Sequence, residues 1–179
     1  MAATPLPLRA LLTVVAFAAL TVACTPLPPT EPTQDITAVD YVLDGDTIEV
    51  TGAAGSSQRV RLLGINTPEV ALDDEPGQCG GEAAAEQLRT LLPEGTTVQL
   101  VSDPEADDEY RYGRLLRYVE LEDGTDVGAA LIAAGYAYAW APLSEPASTR
   151  TADYEAATAT ARDAGAGSWS TCPHLDQSK

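Results

Sequence analysis

The chain has 179 residues and a formal net charge of -17, from 10 basic and 27 acidic residues, so it has room for one domain with a single core. Its 45% hydrophobic and 21% charged residues exclude an intrinsically disordered chain. The acidity argues against broad binding to polyphosphate, except where arginines reverse the local charge.

The first segment predicts export. A basic residue precedes an apolar run over residues 10–23, which is short for a membrane span but typical of a signal-peptide core. The run ends in TVAC at 21–24, which resembles a bacterial lipoprotein cleavage site with Cys24 lipidated, although Thr21 stands where such sites usually carry leucine. We predict residues 1–23 as a signal peptide and leave two outcomes open, a cell-surface lipoprotein or plain secretion.

Residues 24–35 are rich in Pro and Thr and read as an extended linker. If Cys24 is consumed by cleavage or by lipid, Cys79 and Cys172 remain as an even pair in a compartment that permits disulfides, which predicts one bridge. A zinc site built from these two cysteines and His174 is the alternative, although the three residues lack paired metal-ligand spacing.

Residues 36–172 are predicted as the folded domain, and residues 173–179 as a C-terminal tail. Alternating polarity predicts strands at 36–42, 47–51, 58–65, 96–101 and 114–121, and helical patterns cover 82–92, 127–134 and part of 148–164. This order favours an α+β fold with a five-stranded OB-type β-barrel and three helices, although another α+β fold is compatible. No apolar stripe is left over, so we expect a monomer.

Three motifs stand at the ends of predicted strands. DGDT at 44–47 places two carboxylates at a tight turn, a pattern that hairpins without a ligand also show. RVRLLGINTPE at 59–69 runs from a strand into a turn fixed by proline, so that an arginine and an acid share one rigid framework. YRYGR at 110–114 groups aromatic and basic residues around a glycine, and arginine suits phosphate oxygens.

In this order the three motifs resemble the staphylococcal nuclease (thermonuclease-like) family, over roughly residues 37–169. The resemblance implies that Arg61 and Arg114 are phosphate-binding arginines and that Glu69 is the general base. It therefore implies a phosphodiester hydrolase in which Glu69 prepares a water molecule and both arginines stabilise charge on the phosphoryl oxygens.

The resemblance also implies one calcium site. Asp46 matches a metal-binding aspartate, and Thr67 matches a position whose backbone carbonyl helps to hold the ion. Asn66 stands where the family's best-known member has a second metal-binding aspartate. An amide oxygen still ligates a hard cation, but one formal charge fewer predicts weaker calcium binding.

The implied substrate is DNA or RNA with little sequence preference and with single strands favoured. Tyr136, Tyr138 or Trp140 would then stack on bases, although such aromatic residues are more often part of a core. The alternative is a non-catalytic OB-fold module that binds a partner. Asn66 favours that alternative, and the retention of the two arginines and the glutamate disfavours it.

Overall fold

The computed structural model describes residues 34–52, 55–73, 75–142, 147–172 and 174–177, together with Met1. The predicted signal peptide, Cys24 and most of the predicted linker lie outside the described residues. None of the helices in the described part is both long enough and apolar enough to span a membrane.

Within the described residues the chain forms eight strands and three α-helices. The strands are β1 (Gln34–Val42), β2 (Thr47–Thr51), β3 (Ser57–Leu62), β4 (Ile65–Asn66), β5 (Thr97–Val101), β6 (Glu109–Tyr110), β7 (Arg114–Leu121) and β8 (Tyr138–Ala139). The helices are α1 (Gly81–Leu91), α2 (Val127–Ala133) and α3 (Thr151–Asp163). β1 thus begins two residues before the predicted start of the domain.

The five long strands form a closed barrel. β1, β2 and β3 follow one another in antiparallel pairs, while β5 pairs with β1 and with β7. β3 pairs with β7 in parallel, with Val60 opposite Leu115, and this pairing closes the barrel. Alternate strand residues such as Ile48 and Val119 are fully buried inside it. The predicted α+β fold with a five-stranded OB-type barrel is therefore confirmed.

The predicted single strand 58–65 is wrong, because the chain turns after Leu62 and resumes as β4. Gly64 makes the turn with a φ of 80°, a left-handed conformation that favours glycine. A Cβ at this position would lie 3.1 Å from the ring of Tyr154 on α3. The apolar letters LLGI conceal this interruption, since they read as one buried strand.

The C-terminal part of the domain is tied to α1. A disulfide joins Cys79 to Cys172, with 5.7 Å between the Cα atoms, so the predicted bridge is present and neither sulfur is a thiolate ligand for zinc. The predicted tail 173–179 is partly structured, because Leu175 begins a short 3-10 helix and is only 1% exposed. His174 is exposed.

Candidate active site

A cleft of about 320 Å³ opens at one end of the barrel and collects most of the predicted site residues. The turn after β1 supplies two carboxylates, β3 and β4 supply an arginine and an amide, and the segment around β6 and β7 supplies more basic groups. The cleft is lined by Asp44, Asp46, Arg61, Asn66, Glu69, Tyr110, Arg111, Arg114, Trp140 and Pro142. Thr67 is buried and is joined to the cleft residue Asp46 by hydrogen bonds.

Asp46 and Arg61 form a buried ion pair at the floor of the cleft. The guanidinium Nη2 of Arg61 lies 2.8 Å from Oδ2 of Asp46, and each side chain is 8% exposed. The same carboxylate accepts hydrogen bonds from the hydroxyl of Thr47 and from the amide and hydroxyl of Thr67. A buried charge of this kind is stable only when it is paired and hydrogen-bonded, and Asp46 meets both conditions.

Arg61 also fixes the turn that interrupts the predicted strand. Its Nη1 donates to the carbonyl oxygens of Leu62 and Ile65, at 2.8 and 2.9 Å, and its Nη2 donates to Oδ1 of Asn66 at 2.8 Å. The planar guanidinium carries its donors on three nitrogens in a fixed fork, so it reaches more widely spaced oxygens than the single nitrogen of a lysine. Arg61 is therefore an organising residue of the site as well as a lining residue.

Asn66 uses both ends of its amide. Its Oδ1 accepts from Arg61, while its Nδ2 donates to the hydroxyl of Tyr138 at 2.7 Å and to the carbonyl of Thr67 at 3.2 Å. Gly45 allows Thr67 to approach the opposite turn, because a Cβ on Gly45 would lie 2.5 Å from the hydroxyl of Thr67. An aspartate at 66 would lack the two donated hydrogen bonds.

Glu69 stands at the exposed edge of the cleft. Partial burial raises the pKa of its carboxyl, the negative charge of Asp44 raises this pKa further, and the charges of Arg61 and Arg114 act in the opposite direction. Burial likewise raises the pKa of Asp46 and is opposed chiefly by the ion pair with Arg61. A carboxylate with a raised pKa beside basic groups is a suitable proton acceptor.

Arg114 lines the cleft from the first position of β7. Its guanidinium lies 5.0 Å from the centre of the Tyr110 ring, and its Nε donates to the carbonyl of Arg111 at 3.3 Å. The intervening 3-10 turn places Tyr112 at a φ of 66° with its side chain fully exposed. Arg114 is half-buried and is more accessible to a ligand than Arg61.

The predicted aromatic residues divide between the core and the cleft. Tyr138 is 4% exposed and bonds to Asn66, and Tyr136 is half-buried outside the cleft lining. Trp140 lines the cleft, and its backbone amide donates to the carbonyl of Gly64 at 2.9 Å. Asp44 also lines the cleft and accepts a hydrogen bond from the amide of Asp46, whereas the sequence analysis assigned it only to the tight turn.

The oxygen atoms at the cleft suit a hard cation by their chemistry. Carboxylates of Asp44 and Asp46, the amide oxygen of Asn66 and the carbonyl of Thr67 are the kinds of ligand that calcium takes. In the part of the chain that the structure describes, no three Asp, Glu, His or Cys side chains are close enough to hold a metal together. An ion at this position would therefore depend on neutral oxygens and water in addition to carboxylates.

The profile of the family described as Staphylococcal nuclease homologue matches residues 59–171, more than half of the chain. The chain belongs to this family. The matched residues include most of the predicted site, namely Arg61, Asn66, Thr67, Glu69 and Arg114. Asp46 lies before the start of the match.

Individual relatives agree with this family. The chain is 41% identical over 85 residues to Thermonuclease of Staphylococcus intermedius, covering 48% of each chain. It is 32% identical over 117 residues to Endonuclease YhcR of Bacillus subtilis (strain 168), covering 63% of this chain and 9% of the relative. A third relative, an uncharacterized protein of Bacillus anthracis, is 34% identical over 76% of this chain and 62% of its own length. The chain thus spans less than two thirds of the length of each of these relatives.

Proposed function

We propose that this protein is a calcium-dependent phosphodiesterase that hydrolyses DNA or RNA with little sequence preference. The observation that carries the proposal is the convergence on one cleft of Glu69, the Asp46–Arg61 pair and Arg114. The names of the relatives, a thermonuclease and an endonuclease, support the same activity.

Each charged residue of the cleft has its own role in the proposed reaction. Glu69 accepts a proton from the attacking water, since its carboxylate has a raised pKa and faces the cleft. Arg114 donates to a phosphoryl oxygen and stabilises the charge that grows there. Arg61 is already bonded to protein oxygens, so it adds a fixed positive charge and keeps the oxygens of Asp46 and Asn66 in place.

Asp46, Asn66 and the carbonyl of Thr67 would hold the calcium ion, with Asp44 beside them. When bound, the ion supplies positive charge that stabilises the phosphoryl oxygens. Asn66 leaves this group one carboxylate short, so we expect calcium to be needed at higher concentration than with an aspartate there.

Single-stranded nucleic acid is the proposed form of the substrate. Trp140 and Tyr110 line the cleft beside the basic side chains of Arg111 and Arg114. Aromatic faces stack on bases of any sequence, while arginines follow the backbone. The stacking role that the sequence suggested for three aromatic residues is therefore proposed for Trp140 alone among them.

The test compares the mature chain with its Glu69→Gln variant on single-stranded DNA and on RNA, each with calcium or with a chelator. We expect rapid cleavage only by the parent in calcium. Equal digestion in all samples would contradict the proposal. Tight binding by the parent without cleavage would instead favour the non-catalytic binding module, the alternative that Asn66 favours.

We also propose that the protein is exported, as a lipoprotein anchored through Cys24 or as a secreted monomer. The apolar run at 10–23 and the disulfide support export, because disulfides persist in oxidising compartments. Mass spectrometry of the membrane fraction distinguishes the two forms. Diacylglycerol on Cys24 indicates the lipoprotein, and a soluble chain that lacks this lipid indicates secretion.

A further inference from the structure

Two hydrogen bonds from one residue hold the backbone of Glu69. The amide of Glu69 donates to the side-chain Oε1 of Gln78 at 3.0 Å, and the amide of Gln78 donates to the carbonyl of Glu69 at 2.8 Å. Between them the chain makes a loop whose described residues 71–73 and 75–77 are exposed, and two hydrogen bonds join Leu72 to Glu75 within it. Gln78 therefore closes the base of the loop that follows Glu69.

Gln78 is itself attached to the rigid part of the domain. Its carbonyl accepts from the amide of Gly81, the first residue of α1, at 3.1 Å. Gly81 is buried against Glu69, and a Cβ there would overlap the carbonyl oxygen of Glu69. The residue that follows Gln78 is Cys79, which is joined through the disulfide to Cys172. Helix and disulfide thus restrict Gln78 from one side, and Gln78 restricts Glu69.

Glu69 lies at the exposed edge of the cleft. The position of its backbone therefore decides where the carboxylate reaches. Misplacing a reacting group by about 1 Å can cost roughly a hundredfold in rate. The same two hydrogen bonds contribute little to global stability, since they lie in an exposed loop.

We infer that Gln78 is a positioning residue that holds Glu69 in its catalytic place. The inference rests on the proposed role of Glu69 as the general base. Gln78 makes no contact with substrate in this scheme and acts only through the backbone of Glu69.

The experiment replaces Gln78 by Met, which keeps the length of the side chain and removes the acceptor. We expect kcat for cleavage of single-stranded DNA in calcium to fall about tenfold, with KM changed less than about twofold. Gln78→Glu keeps an acceptor oxygen and should restore most of the rate. Gln87→Met, at a half-buried glutamine on α1, is the matched control and should leave the rate unchanged.

The decisive measurement repeats Gln78→Met in the Glu69→Gln background. If Gln78 acts through Glu69, the second substitution should cost little more once the general base is absent. An equal tenfold loss in both backgrounds, or a rise in KM at unchanged kcat, would overturn the inference. Failure of the proposed function is separate, because it would appear as wild-type kcat in Glu69→Gln alone.

Discussion

Replacing Asn66 by Asp should lower the stability of the metal-free protein and raise its affinity for calcium. The new carboxylate would share the Nη2 of Arg61 with Asp46. In the parent protein that nitrogen already lies 2.8 Å from Oδ2 of Asp46 and 2.8 Å from Oδ1 of Asn66. Two oxygens that each lie 2.8 Å from one nitrogen are at most twice that distance apart, so two negative charges there repel by about 3 kcal/mol or more at an effective dielectric constant of about 20, and attraction to Arg61 offsets much of this repulsion.

The remaining cost comes from hydrogen bonds. Asp at 66 cannot donate to the carbonyl of Thr67, while the hydroxyl of Tyr138 can rotate and donate instead. One unsatisfied buried acceptor costs about 1 to 3 kcal/mol, so we expect Asn66→Asp to lower the free energy of unfolding by about that amount in chelator. In calcium the added carboxylate should tighten binding at least tenfold, which returns about 1.4 kcal/mol.

Urea unfolding monitored by fluorescence, with and without calcium, measures both effects in one series. Calcium titration by calorimetry gives the affinity directly. The control is Gln87→Glu on α1, which adds the same charge at a residue that does not line the cleft. An equal loss of stability for Asn66→Asp in calcium and in chelator, with unchanged calcium affinity, would refute the assignment of Asn66 to the cation site.

Three further predictions concern the charges and the disulfide. Arg61→Met leaves Asp46 buried without its partner and should lower the free energy of unfolding by about 3 to 5 kcal/mol in urea; a loss below about 1 kcal/mol would contradict the buried pair. Asp44→Asn removes an anion that raises the pKa of Glu69, so this pKa falls and the acid limb of the kcat profile should move to lower pH; an unmoved limb would contradict the coupling. Opening the disulfide, which spans 93 residues of sequence, should cost up to about 4 to 5 kcal/mol in the same urea assay, and no loss would show that it does not restrict the unfolded chain.

The sequence predicted the barrel well because its evidence is local. Alternation of apolar residues identified β1, β2, β5 and β7 to within two residues at either end, and the family resemblance carried by the three motifs implied which residues share a site. The closure of the barrel by parallel pairing of β3 with β7 depends on contacts between residues more than 50 positions apart, such as Val60 and Leu115, and no local pattern encodes it.

The sequence predicted which residues form the site better than it predicted the hydrogen bonds among them. The letters LLGI gave no sign that the chain turns at Gly64, where a carbonyl on each side of the turn accepts from Arg61. Compared by sequence with the family's best-known member, Asn66 differs from the aspartate there only by the loss of a negative charge. The structure shows an amide whose nitrogen is used twice, which one-letter comparison with a relative cannot reveal.

The balance of charge in the cleft gives a physical reason to expect the metal dependence that we propose. Three acidic and three basic side chains line it, so the cleft is formally neutral in a chain of net charge -17. A phosphodiester backbone gains little by entering a neutral cleft on an acidic surface. A divalent cation would make the cleft positive, and an amide at Asn66 keeps it one charge more positive than an aspartate would. The same residue therefore weakens the hold on the cation and favours the entry of the substrate, so Asn66→Asp should raise KM for single-stranded DNA at saturating calcium.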